Sequence, residues 1–108
     1  MAYGHNLIYD GCPFGNAILT RYPVMEASNL RLPGTPGLEP RGLLTAIVSI
    51  DGRRVAFSST HLTEGSDGRR SRHLQALAAA RELESIDAPT ILAGDLNSDP
   101  TDIPGRIL

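Results

Sequence analysis

The chain has 108 residues, 41% of them hydrophobic, with a formal net charge of −2 and one cysteine, so it holds one small domain and excludes two. A lone Cys12 cannot close an internal disulfide, and acids outnumbering bases exclude broad electrostatic adhesion to nucleic acid. No apolar run approaches a bilayer's width and the opening MAYGHNLIYD is not a secretory signal, so the expectation is a chain without a membrane span, cytoplasmic by default.

Residues 1–13 are polar and Gly/Tyr-rich, with turn signals at Asp10-Gly11 and Pro13. Residues 15–22 read as a strand stopped by Pro23, and residues 24–32 as a second strand. The stretch from Pro33 to Pro40 is dense in Pro and Gly and reads as a loop. The strongest local signal follows. Residues 43–50 are apolar and β-branched, Asp51-Gly52 interrupts them, and residues 53–61 resume with Val55 and Phe57, which predicts a hairpin. Residues 63–68 form a polar loop. Residues 69–86 read as a helix, with Ala76, Leu77, Ala80 and Leu83 at helical spacing.

Asp87-Ala88-Pro89 ends that helix, and residues 90–93 form a short buried-type strand running into Gly94-Asp95-Leu96-Asn97. The tail, 98–108, reads as a helix capped by Ser98 or Asp99, with Pro100 at its first position. Strands, a hairpin, a helix and another strand imply a layered α/β domain with a largely antiparallel sheet. A doubly wound nucleotide fold is excluded, because no Gly-rich turn follows the first strand.

Asp95 and Asn97 stand two apart at a strand exit, which puts both on one face of an extended segment. A carboxylate beside a carboxamide suits a hard cation, a water or a phosphate oxygen, although an ordinary Asp/Asn turn has the same local sequence. An EF-hand loop fails here, because Pro100 and Arg106 replace the required Gly and Glu. His61 closes the hairpin's second strand, where it suits proton donation to a phosphoryl oxygen or a plain surface role. Asn16 and Arg21 offer a carboxamide and a guanidinium on one strand, and Arg is suited to bidentate phosphate contact. Arg72 and Gln75, one helical turn apart, either point together at a site or are solvated.

The order of these pieces is more telling than any one of them. GNAILTRYPV, a hairpin ending SSTHL, a helix with R-x-x-Q-A-L, and PTILAGDLNSDP together resemble the endonuclease/exonuclease/phosphatase family, the DNase I-like metal-dependent phosphodiesterases. The resemblance covers about residues 14–100. It implies a four-layer α/β sandwich of two facing sheets, present here as a partial one with mostly antiparallel strands and one long helix.

It also implies roles. Asp95 would orient or deprotonate the attacking water, Asn97 would help bind phosphate and metal, and His61 would contact the scissile phosphate. Asn16 and Arg21 would lie near the substrate groove, and Mg²⁺ or Mn²⁺, held in part by Asp95 and Asn97, would offset phosphoryl charge. The implied substrate is a phosphate ester: nucleic acid, phospholipid or inositol phosphate.

Two departures matter. The family's first metal ligand is a Glu upstream of the GNAILTRYPV strand, yet the earliest glutamate here is Glu26. The family ends on S-D-H, yet no histidine follows Asp95. Residues 1–108 are therefore expected to be the central part of a single domain, without the Glu and S-D-H segments. The expected function is metal-dependent phosphoester hydrolysis, weak or absent in this chain; the alternative is a non-catalytic remnant or phosphate-binding fragment. A partial sandwich also predicts uncovered sheet edges, and with them self-association.

Overall fold

A computed structural model describes residues 1–108. Strands β1 (Ala2–Tyr9) and β2 (Cys12–Ile18) form an antiparallel hairpin closed by Asp10-Gly11. Both turn residues have positive φ, 46° and 75°, the type I′ geometry that matches the twist of a two-residue hairpin. Residues 1–13 carry only turn signals in sequence, and β1 is an addition the structure makes. The sequence pattern also sets the following strand at residues 15–22, whereas β2 starts and ends earlier.

The second sheet has four strands in the order β3-β4-β5-β6: β3 (Val24–Arg31), β4 (Gly42–Ile50), β5 (Arg53–His61) and β6 (Thr90–Asp95). Its β4–β5 hairpin is closed by Asp51-Gly52, as expected, again with two positive φ angles, 50° and 79°. Helix α1 (Arg69–Glu84) carries the chain across the sheet, so β6 joins β5 in parallel while the other pairs are antiparallel.

The strand period of two sorts the sheet's residues between its faces. On one side Leu43 and Leu62 pack with Leu32 beneath Ala76 and Ala79 of α1, and Leu30, Leu83, Leu92 and Leu96 close round them. On the other side Leu44 and Ala46 meet Ala2 and Ile18 of the β1–β2 hairpin. The molecule is thus three layers: helix, four-stranded sheet, two-stranded sheet. This is the expected mixed α/β sandwich in partial form. Both edges of the larger sheet lack a further strand, and Ile91 on β6 is exposed.

The two sheets come very close where Gly42 begins β4. A Cβ there would collide with the side-chain oxygens of Asn6 and Asn29, so only glycine leaves room for both carboxamides.

The tail departs from expectation. Helix α2 spans only Ile103–Ile107, with Asp102 at the N-cap position and Pro104 in its first turn. Pro100 lies upstream, in a turn where the backbone N–H and hydroxyl of Thr101 both bond the Asp99 carboxylate. That carboxylate closes a side-chain turn and opens no helix.

Leu43 is 1% exposed and Ile91 53%. Leu43→Ala is expected to cost roughly 2–5 kcal/mol in urea unfolding, because it leaves a cavity between sheet and helix. Ile91→Ala is expected to stay within about 0.5 kcal/mol.

Candidate functional site

The parallel pairing of β5 with β6 brings two of the nominated residues together. His61 and Asp95 are register partners at the strands' exits, and His61 Nε2 lies 3.8 Å from Asp95 Oδ2. Both are open to solvent, with side chains 37% and 63% exposed. An imidazole and a carboxylate at this separation form an ion pair when the histidine is protonated, and a water or phosphoryl oxygen can reach both.

Local backbone geometry fixes the carboxylate. Gly94 has φ +143°, and a Cβ there would run into the carbonyl of Thr60 on β5, so a larger residue would push the strand exits apart. The chain is pinned again one step on, where Leu62 N–H donates to the Asp95 carbonyl at 2.9 Å. Asn97 sits in the left-handed region at φ 50°, which asparagine tolerates better than most residues. Its backbone N–H donates to Asp95 Oδ1 at 2.8 Å and its Nδ2 donates to the Leu62 carbonyl at 2.8 Å. The amide nitrogen is thus engaged at the β5 exit, and the side-chain oxygen takes no hydrogen bond from the protein.

Asn16 joins the same end of the sandwich. Its Nδ2 donates to the carbonyls of Gly42 and Ser59, both at 3.0 Å, and so ties β2 to β4 and β5. Arg21 does not join it. Arg21 is exposed, its guanidinium carbon lies 5.8 Å from the ring centre of Tyr22, and it lines a small cavity of about 240 Å³ beside Phe57, four residues before His61.

Arg72 and Gln75 are buried, and each holds the loop that follows His61. Gln75 Oε1 accepts the Thr63 N–H at 3.0 Å, while its Nε2 donates to Thr63 Oγ1 and to the Pro33 carbonyl, both at 2.9 Å. Arg72 Nη1 donates to the carbonyls of Thr63 and Gly65. The R-x-x-Q spacing therefore builds an internal clamp two residues from His61, a third option beyond the two the sequence left open. Helical spacing revealed that the pair share a face; only the fold shows that this face meets backbone.

Asp95 and Asn97 offer hard oxygen donors, the right kind for Mg²⁺ or Mn²⁺. Their number falls short: no three His, Cys, Asp or Glu side chains gather anywhere in the chain, and Mg²⁺ requires six ligands. These residues fit part of a coordination shell. A nearby carboxylate, Asp99, is held below the ordinary carboxylate range by the Thr101 hydroxyl and then by its N–H, and so stays anionic at neutral pH.

Residues 2–108 match the family model described as the endonuclease/exonuclease/phosphatase family. The chain is 34% identical to the uncharacterized protein YbhP of Escherichia coli (strain K12), over 89% of this chain and 38% of that protein. Its fold is similar to that of D. rerio TDP2 complexed with single strand DNA product, at TM-score 0.68, 24% identity, and 81% and 34% coverage of the two chains. It is also similar to sphingomyelinase C from Streptomyces griseocarneus, at TM-score 0.68, 20% identity, and 82% and 35% coverage. The chain thus spans little more than a third of the length of each.

Gln75 makes three hydrogen bonds, two of them buried and one part-buried. Gln75→Ala is expected to cost about 2–4 kcal/mol in urea unfolding and to speed hydrogen exchange at Thr63 more than at Ala46; equal effects at both would contradict a local clamp.

Proposed function

The chain belongs to the endonuclease/exonuclease/phosphatase family, and we propose that it carries one half of a metal-dependent phosphoesterase site, formed by His61, Asp95 and Asn97. The fold is a phosphoesterase fold. The observation that supports the half-site is the pairing of His61 with Asp95 at the ends of two parallel strands, with Asn97 folded back onto both. Strand exits at one end of an open α/β sheet are where ligands meet this kind of scaffold.

In this reading each group has a task set by its surroundings. The Asp95 carboxylate is exposed and has one oxygen anchored on the Asn97 N–H, which leaves the other to orient and take a proton from an attacking water. Protonated His61 donates to a non-bridging phosphoryl oxygen and stabilises the charge that grows there as the ester P–O bond breaks. Asn97 presents its side-chain oxygen toward phosphate and cation, and Asn16 keeps β2 seated on the strands that carry His61. A bound Mg²⁺ or Mn²⁺ would offset phosphoryl charge. Asp95 and Asn97 would supply two of its oxygens, and no third His, Cys, Asp or Glu side chain gathers with them. Arg21 has no part in this half-site as folded.

Groups of a shared catalytic constellation act as a unit, so half of one retains little of the rate. The chain is expected to show no Mg²⁺-dependent hydrolysis of bis(p-nitrophenyl) phosphate above background. A chelator-sensitive rate that disappears in Asp95→Ala would contradict the half-site, because it would make this chain complete in itself.

The non-catalytic alternative separates from it by metal binding. Millimolar Mn²⁺ is expected to broaden the NMR signals of His61, Asp95 and Asn97 selectively, with the effect lost in Asp95→Ala. Uniform or absent broadening sinks the proposal in favour of a remnant.

A further inference from the structure

The larger sheet ends in two edges that are built differently. β3 carries the devices that keep an edge from pairing. Pro23 stands before it, a bulge between Val24 and Glu26 breaks its ladder, and Glu26 and Arg31 charge it. β6 carries none of them. From Thr90 to Ala93 it has no charge, no proline and no bulge, and its one charged residue, Asp95, comes last. Ile91 is 53% exposed and Ala93 is exposed too. Both lie on the face opposite Leu92, which packs toward α1.

The backbone shows which groups this edge offers. Ala56 N–H donates to the Pro89 carbonyl and Leu62 N–H to the Asp95 carbonyl, each at 2.9 Å. Along a parallel ladder alternate residues bond the same neighbour, so Ile91 and Ala93 also turn their N–H and C=O to β5. The N–H and C=O of Thr90 and Leu92 therefore point outward, where the sheet has no further strand.

We propose that β6 is the docking edge for a second copy of this chain, which adds its own β6 antiparallel about a twofold axis and joins two four-stranded sheets into one. The strand is complementary to itself. With Leu92 opposite Leu92 of the second copy, the outward N–H and C=O of each meet their counterparts as one hydrogen-bonded pair. Ile91 then faces Ala93 of the second copy, large beside small, and Asp95 faces Pro89, so like charges do not meet. An isologous contact of this kind closes on itself, and the guarded β3 edge adds no third copy. A single strand edge buries less than the roughly 1,600 Å² of a standard interface, which puts the expected dissociation constant on the order of 10 μM. The two half-sites fall at opposite ends of the joined sheet, so the inference stands apart from what they bind.

Sedimentation equilibrium and hydrogen exchange on the parent chain test it, from about tenfold below to about tenfold above that constant. The weight-average mass is expected to rise from 11.6 kDa toward twice that value and stop there. Exchange at the Leu92 amide is expected to slow about fivefold at the top of the range, because the monomer fraction falls to about one fifth. The Ala93 amide, already bonded to β5, is expected to change little. Ile91→Glu sets two carboxylates diagonally across the axis, and is expected to stay monomeric throughout with an unchanged circular dichroism spectrum. Met25→Glu, at an exposed position of β3, is expected to dimerise like the parent.

A mass of 11.6 kDa at every concentration overturns the proposal and leaves the edge to a strand of another chain. Growth past the dimer, or a dimer lost in Met25→Glu and kept in Ile91→Glu, overturns it as well. So does a dimer in which the Leu92 amide gains no protection, a result that needs no variant to fold.

Discussion

The parallel register of β5 and β6 is the constraint on which the rest of this molecule depends. It sets His61 beside Asp95, and it does so because α1 returns the chain across the sheet to start β6 alongside β5. A slip of one residue would turn Asp95 to the helix face and separate the pair. Several features make that slip expensive. Leu92 is packed beneath α1, Gly94 fits only against the Thr60 carbonyl, and the Leu62 N–H bonds the Asp95 carbonyl.

The buried polar network serves the same end. Gln75 and Arg72 hold the backbone of Thr63 and Gly65, and Gln75 also reaches Pro33 in the β3–β4 loop. A buried amide and guanidinium left unbonded would each cost more than their bonds return, so the loop must keep the shape that satisfies them. The site itself stays exposed while its supports are dry. That division keeps His61 and Asp95 accessible and lets buried hydrogen bonds, with little competition from water, hold the adjoining loop in place.

Much of this was readable in the sequence, where local chemistry and tertiary context agree. Asp51-Gly52 between two β-branched runs is a strong hairpin signal, and GDLN at a strand exit nominates the candidate site, although β6 is a largely exposed edge strand and not the buried one expected. β1 escaped because its inward positions include Ala2 and Gly4, which carry no apolar alternation. Arg21 is close to Asn16 in sequence, yet β2 ends at Ile18 and Arg21 lies in the bend beyond it, beside Tyr22 and Phe57. In the tail Pro100 has the local signature of a helix start, but the Asp99 side chain captures the Thr101 N–H and hydroxyl and closes a turn there instead.

The central claim is that these residues are a working half of a phosphoesterase site. Transplanting residues 2–108 into the full-length Escherichia coli relative, in place of its matched segment, tests it most directly. The account predicts that, beside the active intact relative, the folded chimera hydrolyses a phosphodiester in Mg²⁺, and that Asp95→Ala within the transplant abolishes the rate. A folded chimera with no hydrolysis, next to an intact relative that is active, would contradict it.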